Sequence, residues 1–116
     1  MMLRMPRGDI RHFRFLVNDP NGTGTDIDFD EIYFTVKKTS KDRLYQFQKT
    51  LSTGGIIKLD LGDYQVEIKP EDTEKMFYGS YKFDIQLCYK VNENKLKESF
   101  VGDFVLTDEI TFNENE

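Results

Sequence analysis

Tyr81-Lys82-Phe83-Asp84-Ile85-Gln86-Leu87-Cys88 decides the fold class of this chain. Tyr81, Phe83, Ile85 and Leu87 alternate with Lys82, Asp84, Gln86 and Cys88, and an extended chain puts every second side chain on one face. A helix would scatter those four apolar residues around its circumference. The stretch therefore reads as a strand with one buried face, central in its sheet.

The same period of two recurs on either side. Over residues 10–17, Phe13, Phe15 and Val17 oppose His12, Arg14 and Leu16, and Asn18-Asp19-Pro20-Asn21-Gly22 then supplies turn chemistry. Ile32, Phe34 and Val36 alternate with Tyr33, Thr35 and Lys37, with Ile27 and Phe29 leading in. Tyr45, Phe47 and Leu51 mark a third strand, ended by Gly54-Gly55, in which Lys49 falls on the apolar side near an edge. Ile57, Leu59 and Leu61 predict a short strand with those side chains inward, and Gly62-Asp63 turns it into Tyr64, Val66 and Ile68. Residues 70–76 break the rhythm with Pro70 and suit one helical turn. Beyond the deciding strand, Asn92-Glu93-Asn94-Lys95 turns the chain into Leu96 to Phe100. Gly102 invites a bulge before Phe104 and Leu106, and Ile110 and Phe112 extend the strand.

Seven to eight short strands at a spacing of about ten residues, with no amphipathic helix, predict an all-β, immunoglobulin-like antiparallel β-sandwich, with a small barrel as the alternative. Pro70-Glu71-Asp72-Thr73 ahead of Tyr81 resembles the corner between the fifth and sixth strands of immunoglobulin folds, although the Cys, Trp, Cys set is missing. A chain of 116 residues accommodates one core, so residues 1–116 are read as a single domain with loose ends at 1–8 and 113–116. Ten Phe and six Tyr supply that core.

Composition narrows function. A net charge of −5 opposes nucleic-acid binding, which clustered Lys and Arg carry; the basic run Lys37, Lys38, Lys41 and Arg43 is broken by Asp42 and reads as a solvated loop. Cys88 is the one cysteine, so no disulfide forms within the chain, and nothing points to an oxidising compartment. No apolar run is long enough for a signal peptide or a membrane span. His12 is the one histidine, flanked by Arg11 and Arg14, and reads as a surface residue rather than a general base; Cys88 lacks the cationic setting of a reactive thiolate. The expectation is no enzyme, no cofactor and no catalytic residue.

Asp26, Asp28 and Asp30 share one face of an extended chain, and Glu31 stands where a calcium loop needs Gly; solvated carboxylates and a cation site both stay open. Arg7-Gly8-Asp9 matches an adhesion tripeptide that arises easily by chance.

Several segments taken together resemble one family. They are Arg7-Gly8-Asp9 with Phe13-Arg14-Phe15, residues 32–38, Phe47-Gln48-Lys49, Pro70-Glu71-Asp72-Thr73, residues 78–85, and residues 102–106 with Glu109-Ile110-Thr111. The ordered set is similar to small phage and prophage proteins of low-GC Gram-positive bacteria, related to the N-terminal domain of baseplate upper proteins. That resemblance implies a virion tail or baseplate component without catalytic residues, present in the host cytoplasm during assembly. Its partners would be other structural proteins of the particle and copies of itself, with neither nucleic acid nor membrane. The chain is short for that family, with no fibre, coiled coil or receptor-binding segment after residue 116, so a separate subunit, an adaptor and a trimmed fragment are all open.

Tyr33, Tyr78 and Tyr89 are the interaction candidates, because Tyr joins apolar area to a polar tip. Completion of the core is the competing reading of all three. The alternative function is a carbohydrate-binding module that recognises host-surface glycans through aromatic platforms at the loop end of the sandwich.

Overall fold

The computed structural model describes residues 1–17 and 29–108. They form β1 (Met2–Pro6), β2 (Arg11–Leu16), β3 (Phe29–Lys37), β4 (Phe47–Thr50), β5 (Ile56–Asp60), β6 (Asp63–Ile68), the one-turn α1 (Pro70–Thr73), β7 (Gly79–Val91) and β8 (Asn94–Thr107). A five-stranded sheet runs β1-β8-β7-β3-β4 and a three-stranded sheet runs β2-β6-β5. All pairings are antiparallel except that of β1 with β8. The fold is an all-β sandwich of eight strands.

The deciding stretch lies in β7, between β8 and β3, as its alternation requires. Its Tyr81, Phe83, Ile85 and Leu87 are buried, beside Ile32, Phe34 and Val36 of β3 and Phe104 and Leu106 of β8. Ile56, Tyr64, Val66 and Ile68 of the smaller sheet belong to the same core cluster. Burying these side chains supplies most of the driving force.

The chain crosses between sheets after β1, β2, β4 and β6, so the smaller sheet corresponds to strands B-E-D and the larger to C′-C-F-G, with the first strand beside the last. The hydroxyl of Tyr81, near the start of β7, donates to the Phe77 carbonyl at 2.7 Å, which is the tyrosine corner of immunoglobulin-like sandwiches. Two residues on, where antibody domains carry a cysteine, Phe83 stacks on Phe34 at 5.4 Å between centroids. Aromatic packing thus occupies the place of the missing disulfide and Trp.

Asp72 secures the same corner by accepting from the Lys69 backbone N–H at 2.7 Å and pairing with Lys49 Nζ at 2.6 Å. Lys49 points to the apolar side of β4, as expected, and finds there a carboxylate almost as enclosed as itself.

Four expectations change. Residues 1–8 are not a loose end: Met5 is fully buried, Leu3 packs on the core, and β1 pairs with residues 103–107 of β8. The third strand begins at Phe47, and Tyr45 stands outside it, 53% exposed. In β5 the side chain that faces the core is Ile56, not those expected: Ile57 and Leu59, and Leu61 in the turn after the strand, are 44%, 43% and 67% exposed, and the pairing shifts register between Lys58 and Asp60. Ile56 opposes buried Val66, and that pairing turns Ile57 outward. Finally, Gly102 makes no bulge; β8 is one strand of 14 residues, and a Cβ at Gly102 would lie 2.5 Å from the Phe83 ring and 2.6 Å from the Met1 carbonyl. The turn at residues 18–22, Ile27, Ile110, Phe112 and the end at 113–116 lie outside the described residues.

Candidate functional site

The outer face of the five-stranded sheet carries the side chains that alternate with the core. Register sets them in rows: Gln48, Thr35 and Asp84 in one, Tyr33 beside Gln86 in the next, and Cys88 beside Lys97 beyond. Gln48 Nε2 donates to Thr35 Oγ1 at 3.0 Å, which fixes one amide across two strands. The connection from β3 to β4 brings Arg43 and Tyr45 to this face. Its start is held by Asp42, whose carboxylate accepts from the Thr39 N–H at 3.0 Å, and its end by Gln46, whose N–H donates to the Val36 carbonyl at 2.7 Å.

Together with Lys37 these residues enclose a hollow of about 420 Å³. A smaller hollow of about 240 Å³ adjoins it and shares Thr35, Lys37 and Asp84. The larger one holds three cations, Lys37, Arg43 and Lys97, against one carboxylate, Asp84, on a chain whose net charge is −5. None of the three cations has a carboxylate within ion-pair distance among the described residues. Burial pushes the Asp84 carboxyl above its ordinary range, and the charge of Lys37 only partly offsets this.

The structure separates the three tyrosine candidates. Tyr33 lines the hollow. Tyr78 lies 43% exposed at the corner between β6 and β7, with the Arg7 guanidinium 4.4 Å above its ring. Tyr89 is a core residue, 7% exposed, donating to Glu98 Oε1 at 2.7 Å, so it offers no surface. Strand phase explains this, since Tyr89 follows Tyr81, Phe83, Ile85 and Leu87 inward. The sequence reading missed Tyr45, which it had placed on the buried side of a strand.

The remaining motifs have structural settings. Arg7 of the adhesion-like tripeptide lies over Tyr78, and the Gly8 N–H donates to buried Thr73 Oγ1 at 2.9 Å. His12 Nε2 meets Glu67 Oε2 at 2.9 Å on the exposed face of β2. Asp30 is exposed, while Asp26 and Asp28 lie outside the described residues, among which no three metal-ligating side chains converge. Of the basic run, Lys38 reaches the Ser80 carbonyl at 3.3 Å and lies over Tyr81, while Lys37 and Arg43 line the hollow. No helix among the described residues is long and apolar enough to cross a membrane.

A second surface is apolar. Ile57 and Leu59 stand exposed on β5, an edge strand, and Leu61 in the turn after it, which lies against the end of β2, where the Val17 N–H donates to the Gly62 carbonyl at 2.8 Å. Leu16, next to Val17, is 73% exposed. Exposed apolar edges of this kind mark docking surfaces.

No protein-family model matches this chain, and no curated protein matches it in sequence.

Proposed function

We propose that this domain is a non-catalytic assembly module of a phage tail or baseplate, acting through protein–protein contacts. The observation that carries the reading is the apolar edge at β5. Ile57 and Leu59 of β5 and Leu61 of the turn after it all stand exposed, although Ile56, Val66 and Ile68 already belong to the core. A monomer gains nothing from exposing them, whereas a partner that covers them gains both apolar burial and the free backbone groups of an edge strand. The resemblance of the ordered motifs to baseplate-type proteins implies that partner's class: another structural protein of the particle, or a second copy of this chain.

Light scattering of the purified chain, alone and mixed with the products of the neighbouring genes, tests the proposal. The expected result is a stable assembly that the double variant Ile57→Lys/Leu59→Lys loses while keeping its circular dichroism spectrum. A chain that stays monomeric at high concentration and binds none of those products would refute it.

A second reading, saccharide recognition, is favoured by one observation: Tyr33 and Tyr45 line the same hollow as Gln48 and Gln86. The platforms lie on a sheet face and not at the loop end of the sandwich.

A further inference from the structure

We infer that the hollow on the outer face of the five-stranded sheet binds an acidic saccharide, with Tyr33 and Tyr45 against its sugar rings and Lys37, Arg43 and Lys97 around its anionic group. The inference rests on the saccharide reading and narrows it to one chemical class.

The floor of the hollow comes first. Its residues sit on β4, β3, β7 and β8, and β3 and β7 are interior strands whose backbone groups are spent in ladders on both sides. A peptide cannot add as a strand there. Recognition must run through side chains, and those present are amides, a hydroxyl, a carboxylate, two phenol rings and three cations. Apolar anchors, which a folded protein partner would need, are scarce.

The polar groups match a polyol. Each Gln offers both donors and an acceptor, so Gln48 and Gln86 can engage neighbouring hydroxyls that are themselves donor and acceptor. Gln48 is pre-oriented by its bond to Thr35, which lowers the ordering cost on binding. Asp84 is an acceptor only, half-buried, with no hydrogen-bond donor within reach among the described residues; a sugar hydroxyl would supply one. The phenol rings add apolar area with a polar tip, suited to the C–H faces of a sugar. A volume of about 420 Å³ also lies within the range of roughly 300–1,000 Å³ typical of small-ligand sites.

Charge selects the anion. Three cations with no ion-pair partner among the described residues gather on a chain of net charge −5, which would otherwise repel anionic polymers. A carboxylate or phosphate on the sugar pairs with Arg43 and the two lysines, whereas a neutral sugar leaves them unmatched.

The test is a titration of the isotope-labelled full chain, followed by amide NMR, with trigalacturonate, 6-phosphomaltotriose and neutral maltotriose. At least one acidic sugar should shift the signals of Tyr33, Gln48 and Gln86 and bind about tenfold more tightly than maltotriose. The two acidic probes tell carboxylate from phosphate. Arg43→Ala and Tyr45→Ala, both at exposed loop positions, should each weaken binding about tenfold, while Lys75→Ala, an exposed lysine that does not line the hollow, leaves it unchanged. Equal binding of maltotriose overturns the acidic assignment and leaves the saccharide reading intact. Absence of binding by all three at millimolar concentration overturns both. Binding of tetraglutamate or hexathymidylate as tight as that of the sugars would show a site for charge alone and also overturns the inference.

Discussion

At the scale of single residues, two positions set stability against other demands. Gly102 has no Cβ because none fits: the Phe83 ring and the Met1 carbonyl already occupy that space. Adding one methyl pushes on a ring stacked against Phe34 and on the start of β1, whose Met1 carbonyl accepts from the Asp103 N–H at 3.0 Å. Gly102→Ala should therefore cost about 1–3 kcal/mol in chemical denaturation, with faster amide exchange along β1. Asp84 acts in the opposite sense. Burial raises its folded pKa, so the folded state holds its proton more tightly than the unfolded chain. Stability is then present at low pH and declines as pH rises from the unfolded value through the folded one. Asp84→Asn should raise the melting temperature at pH 7, and the gain should shrink as pH falls and vanish well below the ordinary Asp value of about 3.9, where Asp84 is protonated in both states. A carboxylate that weakens the fold at neutral pH fits a groove kept for a ligand.

Among the elements, β4 and α1 are joined by one ion pair that apolar side chains enclose. Removing Lys49 leaves Asp72 without its cation while Asp72 still accepts from the Lys69 N–H. Lys49→Ala should cost roughly 2–4 kcal/mol, whereas Lys49→Met/Asp72→Leu together should cost less than the sum of the single changes, read as a double-mutant cycle. This level also shows how far the sequence can be read. Strands β3, β6 and β7 were legible because each carries three or more apolar residues in one phase, buried on that phase. In β5 the strand was legible and its inward face was not: Ile56 and Ile57 are adjacent apolar residues, and the spacing of Ile57, Leu59 and Leu61 outvotes the one side chain that is buried. Periodicity marks a strand, but only its neighbours decide which face meets the core. Strand β1 escaped because Leu3 and Met5 make too short an alternation, and pairing with a strand about 100 residues later leaves no local mark. The hollow escaped for a related reason: Tyr33, Gln48 and Asp84 come together through register across three strands, and Tyr45 joins them from a loop.

On the scale of the whole molecule, both sheets contribute to one core cluster, and the described strands cross between the sheets four times. No sheet buries its apolar face without the other, so the sandwich should unfold as one unit. The chain has no Trp, which makes tyrosine fluorescence the natural probe of packing, set against far-ultraviolet circular dichroism for the strands. The two denaturation curves should coincide. Tyr81 tests this from a single atom. Its hydroxyl is bonded to the Phe77 carbonyl within the corner, while its ring lies inside the core. Tyr81→Phe keeps the ring and removes the bond, so it should lower stability by about 0.5–1.5 kcal/mol and shift both curves by the same amount. A shift seen by fluorescence alone would mean that the corner opens independently and that the two sheets are not one cooperative unit. The corner carries Arg7, Thr73 and Tyr78 together, none of which lines the groove or belongs to β5. Saccharide affinity and assembly should therefore be unchanged in Tyr81→Phe at temperatures where it stays folded, because both surfaces depend on strand register and not on the corner.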